Sequence, residues 1–549
     1  MSKSATQAFR TSTMAAPCDY DVIVIGAGVS GIYQIKRLVD LGVRATVLDA
    51  NGDLGGTWYN NRYPGARFDS ESYTYGYSFS KELLEEWHWT ERFSPQPETL
   101  RYLNFVVDRL GLREHMQFGC RVEVMHFDEQ TDLWHLRLGD GRTLSARVVV
   151  TGLGPLSTPT LPKIPGMSDF RGLSFHTSNW PHEPLDLTGK RVGIIGTGAT
   201  AIQIIPVVAQ QAAHLTVFQR RANWAAPLNN GPISAAEMAS IRARYDEIFA
   251  ACARSPAAFE HVPDSRRFSE VPPAERRAFW DRLYDEPGFG IWLANFAEIF
   301  IDEHANAEIS AYIADRIRQR VKDPALAERL IPKDHGFGIQ RLPLETNYFE
   351  TYNRDNVELV DSKATPIERI TPTGLCTRER TFDFDIIVYA TGFDAFTGAY
   401  DRIDIRGLGG QTLRDKWADG PVTYLGMLVS GFPNMVMLGG PQTAAANFPR
   451  GSEIAVDWIV PLLTHMMNAG HTRFDAKPEA EQAWCNAVKA SYQGLLMSKA
   501  QSWITGYNSN LEGHEYGHTR YNIFATGGVE YAKHLQAAAQ GGYAGIAFS

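Results

Sequence analysis

The strongest constraint in this chain is a pattern that occurs twice: a fully apolar run delivered straight into a glycine-rich turn, with helical spacing behind it. Val22, Ile23, Val24 and Ile25 enter Gly26-Ala27-Gly28-Val29-Ser30-Gly31. Ile32, Ile35, Leu38 and Leu41 then recur at helical intervals until Gly42, and Ala45 to Leu48 read as a second strand. An apolar run without polar alternation is a strand buried on both faces, so the segment reads as one strand-helix-strand unit of a parallel sheet. The same grammar returns at Arg191 to Ile195, Gly196-Thr197-Gly198-Ala199-Thr200-Ala201, a helical Ile202 to Gln211 and a strand Leu215 to Phe218. The predicted fold class is α/β, with two Rossmann-like dinucleotide-binding domains.

In the first unit, Gly26 allows the turn, Gly28 lets the backbone approach a pyrophosphate and Gly31 lets the helix pack on the strand. The helix N-terminus then offers unpaired N–H groups to phosphate. Asp49 closes the second strand, where a carboxylate can accept from both hydroxyls of a ribose, so an adenosine with a free 2′-hydroxyl, as in FAD or NAD, is expected. In the second unit Gly196, Thr197, Gly198 and Ala201 fill the motif, and the position equivalent to Asp49 falls on Gln219, followed by Arg220 and Arg221. No carboxylate stands there to repel a phosphate, and a guanidinium can bind one, so NADP is preferred over NAD. The plainer reading is that the two arginines solvate a strand end. Two sites for two kinds of ribose imply two cofactors exchanging hydride.

Composition narrows the remaining classes. The chain has 549 residues, of which 44% are hydrophobic and 21% charged, which excludes disordered and fibrous proteins. A formal charge of −9 is unsuited to a nucleic-acid binder. Cys18, Cys120, Cys252, Cys376 and Cys485 are too scattered for a disulfide framework or a cysteine zinc site. Residues 1–19 lack the apolar centre of a secretory signal and read as a disordered tail. No apolar run reaches the roughly 18 to 20 residues of a membrane span. A soluble, cytoplasmic protein is expected; the oligomeric state is not legible.

Phe170-Arg171-Gly172-Leu173-Ser174-Phe175-His176-Thr177-Ser178-Asn179-Trp180-Pro181 fits F-x-G-x-x-x-H-x-x-x-W-P, which resembles the fingerprint of the Baeyer-Villiger monooxygenases. Related flavin monooxygenases of nitrogen and sulfur compounds typically carry Tyr or Phe in place of Trp180, and they form the alternative reading. The resemblance continues through Gly55-Gly56-Thr57-Trp58-Tyr59, Arg62 to Arg67, Asp69, Ala390 to Asp394 and Ser502 to Gly506, and covers essentially residues 20–530. It implies that NADPH reduces FAD, that reduced flavin captures molecular oxygen as a peroxide, and that this peroxide attacks a small-molecule ketone to give an ester or lactone. Such chemistry needs a fixed cation near the flavin. Arg341 aligns with the family's catalytic arginine and Asp69 with the carboxylate that positions it. Trp503 aligns with a tryptophan that contacts NADP. Thr57, Trp58, Asp69, Tyr75, Gln203, Gln340, Arg341 and Trp503 thus join the two glycine motifs, Asp49, Arg220 and Arg221 as the expected cofactor-binding residues. His176 is assigned to the linker between domains and to domain motion rather than proton transfer.

On this resemblance, residues 20–155 and 385–549 form two segments of the FAD domain, and 156–225 and 336–384 two segments of the NADP domain. Residues 226–335 form a helical insertion, marked by the capping-box spacing of Ser234 and Glu237 and by Ile309, Tyr312, Ile313, Ile317 and Val321. Phe384 to Tyr389 and Met435 to Leu438 read as strands returning to the first sheet. Three positions depart from the pattern familiar in the smaller-ring and phenylketone enzymes of the family: Gln340 stands where a lysine often helps to hold the 2′-phosphate, Asn60 replaces a common tryptophan and Phe68 a common cysteine. The stretch Arg67 to Ser78 looks closest to the large-ring branch, the cyclododecanone and cyclopentadecanone type.

Three other readings are weaker. His514-Glu515-Tyr516-Gly517-His518 matches H-E-x-x-H, a zinc hydrolase motif that requires a helix, and Gly513 and Gly517 disfavour one. A nucleotide-dependent disulfide reductase needs a cysteine pair beside the flavin. A nonenzymatic nucleotide sensor would not need Arg341 beside Asp69.

Overall fold

The first apolar run forms the strand Tyr20–Ile25, with Val22, Ile23 and Val24 wholly buried. Val22 and Val24 pack toward the following helix Val29–Asp40, while Ile23 and Ile25 face the other way, against Trp134, Val149 and Met435. Each such side chain contributes about 1.5–3 kcal/mol through its burial, which is why an unbroken run marks a central strand. In the computed structural model, residues 16–549 apart from 445, 515, 516 and 518 are described. The expected tail therefore lies mostly outside the described residues.

Tyr20–Ile25 pairs in parallel with Ala45–Leu48 on one side and Thr143–Thr151 on the other. Val122–Asp128 and Leu133–Leu138 continue the sheet as antiparallel neighbours, and Asp404–Arg406 closes that edge. Met435–Met437 adds in parallel to Thr143–Thr151, as its apolar run predicts. Eight strands make this sheet among the described residues.

A second sheet is parallel throughout, in the order Val357–Asp361, His214–Gln219, Arg191–Ile195, Ile386–Tyr389, Leu173–His176. The run Phe384 to Tyr389 is therefore corrected: it lies inside the second sheet, not the first. A buried parallel strand is apolar on both faces in either sheet, so its composition carries no address. The chain crosses between the sheets twice, side by side, where Thr158–Pro159 pairs antiparallel with Phe393–Asp394.

Between the second unit's first strands and its return lie the helices Ala235–Ala243, Tyr245–Arg254, Pro273–Asp285, Glu303–Arg320 and Pro324–Leu330. Ser234 Oγ accepts from the N–H of Glu237 at 3.2 Å, and Asp302 caps Ala305 at 2.8 Å. Each cap satisfies a backbone donor that the helix leaves unpaired. Ile309, Tyr312, Ile313 and Ile317 are the buried stripe of Glu303–Arg320 and face the second unit's core.

Candidate active site

Both glycine turns have the geometry that a dinucleotide requires. Gly26 has φ +106°, and a Cβ there would lie 2.4 Å from the carbonyl oxygen of Gly152. A Cβ on Gly31 would lie 1.8 Å from the carbonyl of Gly26, so only glycine lets this helix start so close to the strand. Gly28 and Gly198 precede the helices Val29–Asp40 and Ala199–Gln211, and neither helix has a side-chain cap. Their first N–H groups remain available to phosphate oxygens, and nothing lies within 4 Å of the space where a Cβ of Gly198 would stand.

Asp49 is buried at the end of its strand. Its Oδ2 accepts from the N–H of Ala27 inside the glycine turn at 2.7 Å, and its Oδ1 from the N–H of Asn51 at 2.8 Å. Burial pushes its carboxyl above the usual carboxylate range, against these two donors. A carboxylate fixed to the turn itself suits recognition of a ribose diol beside the pyrophosphate.

At the second unit, Thr197 Oγ1 donates to the carbonyl of Arg221 at 2.6 Å and so ties the turn to the arginine pair. Arg221 is already engaged: Nε donates to Asp334 at 2.6 Å and Nη1 to the carbonyl of Gln501 at 3.2 Å. The Asp334 carboxyl is held down at about 2 by its hydrogen bond with His335 and by Arg221. The expectation of no carboxylate at this strand end is thus corrected, because Asp334 arrives from the end of the helical insertion. Arg220 is exposed and donates to Ser509 Oγ, while Gln219 is buried and donates to the carbonyl of Arg329. Gln340 also donates to the carbonyl of Gln501, at 3.3 Å. Arg220, Arg221 and Gln340 therefore converge on the segment 501–509, which carries Trp503 on the short turn Trp503–Thr505. Asn508 fastens the same segment to the crossing strands through Phe393 O and Thr160 Oγ1. Gln501, Asn508 and Ser509 carried no signal in the sequence, since polar residues in a loop advertise no partner.

The central pair is Asp69 with Arg341. Nη1 of Arg341 donates to Asp69 Oδ2 at 2.6 Å, and the N–H of Leu344 reaches the same oxygen at 3.2 Å. The Asp69 side chain is 2% exposed and the Arg341 side chain 37% exposed, so the acid is sealed while part of the basic side chain reaches solvent. The Arg341 guanidinium carbon lies 5.7 Å from the centre of the Phe289 ring, which packs in turn on Phe259 and Trp292. The cation thus has an apolar wall beside it, supplied by the insertion.

Trp58 and Tyr75, separated in sequence, are joined: Trp58 Nε1 donates to the Tyr75 hydroxyl at 2.9 Å. Phe68 stacks on Tyr75 at 4.3 Å, so the residue that replaces cysteine completes an aromatic cluster directly before Asp69. Thr57 is exposed at the start of its short helix. Gln203 bonds Tyr63, Arg67 and Asp69. His176 is 3% exposed and ends its strand; Nε2 donates to the carbonyl of Gly392 at 3.0 Å and Nδ1 accepts from the N–H of Ser178 at 3.2 Å. Burial pushes it down to about 4, so it is neutral and fixed at the crossing between the sheets. In the H-E-x-x-H segment, Glu515, Tyr516 and His518 lie outside the described residues, and His514 Nδ1 is 2.9 Å from the carbonyl of Gly506.

The chain is similar to known flavin-dependent monooxygenases. Residues 19–230 match the model of a family described as flavin-binding monooxygenase-like. The chain is 43% identical over 534 residues to the 2-oxo-Δ3-4,5,5-trimethylcyclopentenylacetyl-CoA monooxygenase of Pseudomonas putida, covering 96% of this chain and 98% of that one. It is 41% identical to a Baeyer-Villiger monooxygenase of Pseudooceanicola batsensis, over 91% and 92% of the two chains. A crystal structure of OTEMO in complex with FAD and NADP superposes with a TM-score of 0.93 at 42% identity, covering 97% of this chain and all of that one. With similarity of this degree running through nearly the whole length of both chains, this chain belongs to the flavin-binding Baeyer-Villiger monooxygenases.

Proposed function

We propose that the chain oxidises bulky or cyclic ketones to esters or lactones at the face of Arg341 opposite Asp69. The enzyme is an FAD-containing, NADPH-dependent monooxygenase. FAD, when bound, would accept hydride from NADPH and activate molecular oxygen, one atom of which is inserted beside the ketone carbonyl while the other leaves as water. The protein's own residues supply binding and electrostatics. Asp49 accepts from the adenosine ribose of FAD, and the N–H groups behind Gly28 take its pyrophosphate. The N–H groups behind Gly198 and the guanidinium of Arg220 hold NADP.

Arg341 stabilises negative charge as it develops on the ketone oxygen, and its permanent charge needs no proton transfer to do so. Asp69 fixes the fork of that guanidinium. The Phe289, Phe259 and Trp292 cluster gives one side of the cation an apolar wall, which favours an apolar substrate. His176, neutral and hydrogen-bonded through both nitrogens, is a structural residue. The observation that carries this reading is the Asp69–Arg341 contact at 2.6 Å, with a buried acid holding a part-exposed arginine that has the Phe289 ring on one side.

No helix of the described residues is long and apolar enough to cross a membrane. The direct test is to incubate the FAD-loaded protein with NADPH, cyclohexanone or cyclopentadecanone and isotopically labelled oxygen gas. Lactone carrying a labelled atom, formed in proportion to NADPH consumed, is expected. Consumption of NADPH with hydrogen peroxide as the sole oxygen product, whatever the ketone, would refute the assignment.

A further inference from the structure

Gln203 belongs to the helix Ala199–Gln211, which opens the second nucleotide unit, yet its side chain reaches into the first. Its Nε2 donates to the carbonyl of Arg67 at 2.9 Å and to Asp69 Oδ1 at 3.2 Å, and its Oε1 accepts from the Tyr63 hydroxyl at 2.7 Å. The Arg67 carbonyl can only accept, so the amide orientation is fixed, with its NH2 toward Asp69. Burial raises the Tyr63 phenol well above its ordinary range, so it stays a donor to Gln203.

The two oxygens of Asp69 are thereby held from two sides. Oδ2 takes Arg341 and the N–H of Leu344, while Oδ1 takes Gln203. The contact between the units is tight around this bond. Gly65 has φ +85°, and a Cβ there would lie 2.7 Å from the carbonyl oxygen of Gln203. A neutral amide is also the donor that suits the task. It fixes the carboxylate without cancelling the charge that Arg341 needs, whereas a lysine would compete for it and a glutamate would repel it.

We infer that Gln203 is a positioning residue: from the nucleotide-binding helix of the second unit it holds Asp69, and through Asp69 it aims Arg341. The cation is then correctly aimed only when the two units are seated against each other. This rests on the role proposed above for Arg341. It differs from a direct cofactor contact, because both N–H groups of the amide are already committed to Arg67 and Asp69.

The test uses Gln203→Leu in the full-length, FAD-loaded protein, with hydrogen exchange at the Leu344 amide as the first readout. Loss of the Gln203 bond lets Asp69 swing, so the Leu344 amide exchanges about tenfold faster, while the rest of Ala199–Gln211 keeps its protection. Ester formed per NADPH oxidised falls about tenfold, with NADPH KM within about twofold of the parent. Unchanged protection at Leu344, or a raised NADPH KM with unchanged ester yield, would overturn the inference. Tyr63→Phe removes only the hydroxyl and decides the matter if Gln203→Leu fails to retain FAD: faster Leu344 exchange by about threefold supports the inference, and parental exchange overturns it. A parent enzyme that makes no ester overturns the functional reading, whereas the exchange measurement still judges the placement of Asp69 by itself.

Discussion

Asp69 and Arg341 meet at 2.6 Å across 272 positions of sequence, and they share that contact unequally: the acid is buried and the base is open. Removing the acid therefore frees the cation without removing it. In Asp69→Ala, ester formation falls about a hundredfold because a mis-aimed charge stabilises little of the transition state. NADPH oxidation continues, and hydrogen peroxide accounts for the difference. Parental ester yield in this variant would show that Arg341 needs no anchor.

Arg220 is the exposed member of its pair, whereas Arg221 is already shared between Asp334 and Gln501. Arg220→Ala should raise the NADPH Michaelis constant by about tenfold and leave that for NADH within about twofold, the loss of one charge-assisted phosphate contact. Steady-state kinetics with both nucleotides checks this, and equal effects on the two would remove Arg220 from the 2′-phosphate.

Gln340 donates to the same carbonyl of Gln501 as Arg221, so it sits among the groups that hold the Trp503 segment. Gln340→Lys adds a positive charge there and should lower the NADPH Michaelis constant by about threefold, with little change for NADH. An unchanged NADPH constant would mean that Arg221 already supplies the charge at that position.

His176 gives a prediction about stability and pH. Burial depresses its folded value to about 4 from an ordinary 6.5. Between those values the unfolded chain binds a proton that the folded protein refuses. Stability attributable to His176 is therefore complete above about pH 6.5 and is lost as pH falls toward 4, up to about 3 kcal/mol. His176→Asn should show a smaller fall in melting temperature from pH 7 to pH 5 than the parent. Parallel falls in the two proteins would place the acid sensitivity elsewhere.

How far the sequence could be read depended on how local each signal was. Val22 to Ile25 with Gly26, Gly28 and Gly31, and Arg191 to Ile195 with Gly196 and Gly198, were legible because strand, turn and helix follow within a few residues. Ile386 to Tyr389 was legible as a strand but not as a member of the second sheet, since burial on both faces looks alike in either. The pairing of Arg341 with Asp69 came only from family resemblance, because nothing in the residues between them specifies that they meet. Asp334 on Arg221 and Gln203 on Asp69 were beyond reach for the same reason: each contact is made by folding elements that are remote in the chain, and each side chain is of a kind that ordinarily faces water. The aromatic wall of Phe259, Phe289 and Trp292 was hidden in a segment whose helices could be anticipated but not placed.

The role of Arg341 is tested most directly by the amount of ester formed per NADPH oxidised by Arg341→Ala, measured against the parent at equal FAD content with one cyclic ketone. The parent should couple most of its NADPH to lactone, and the variant should still oxidise NADPH but release hydrogen peroxide, with lactone reduced at least about a hundredfold. Lactone formation by the FAD-loaded variant at the parental ratio would contradict the central role given to Arg341.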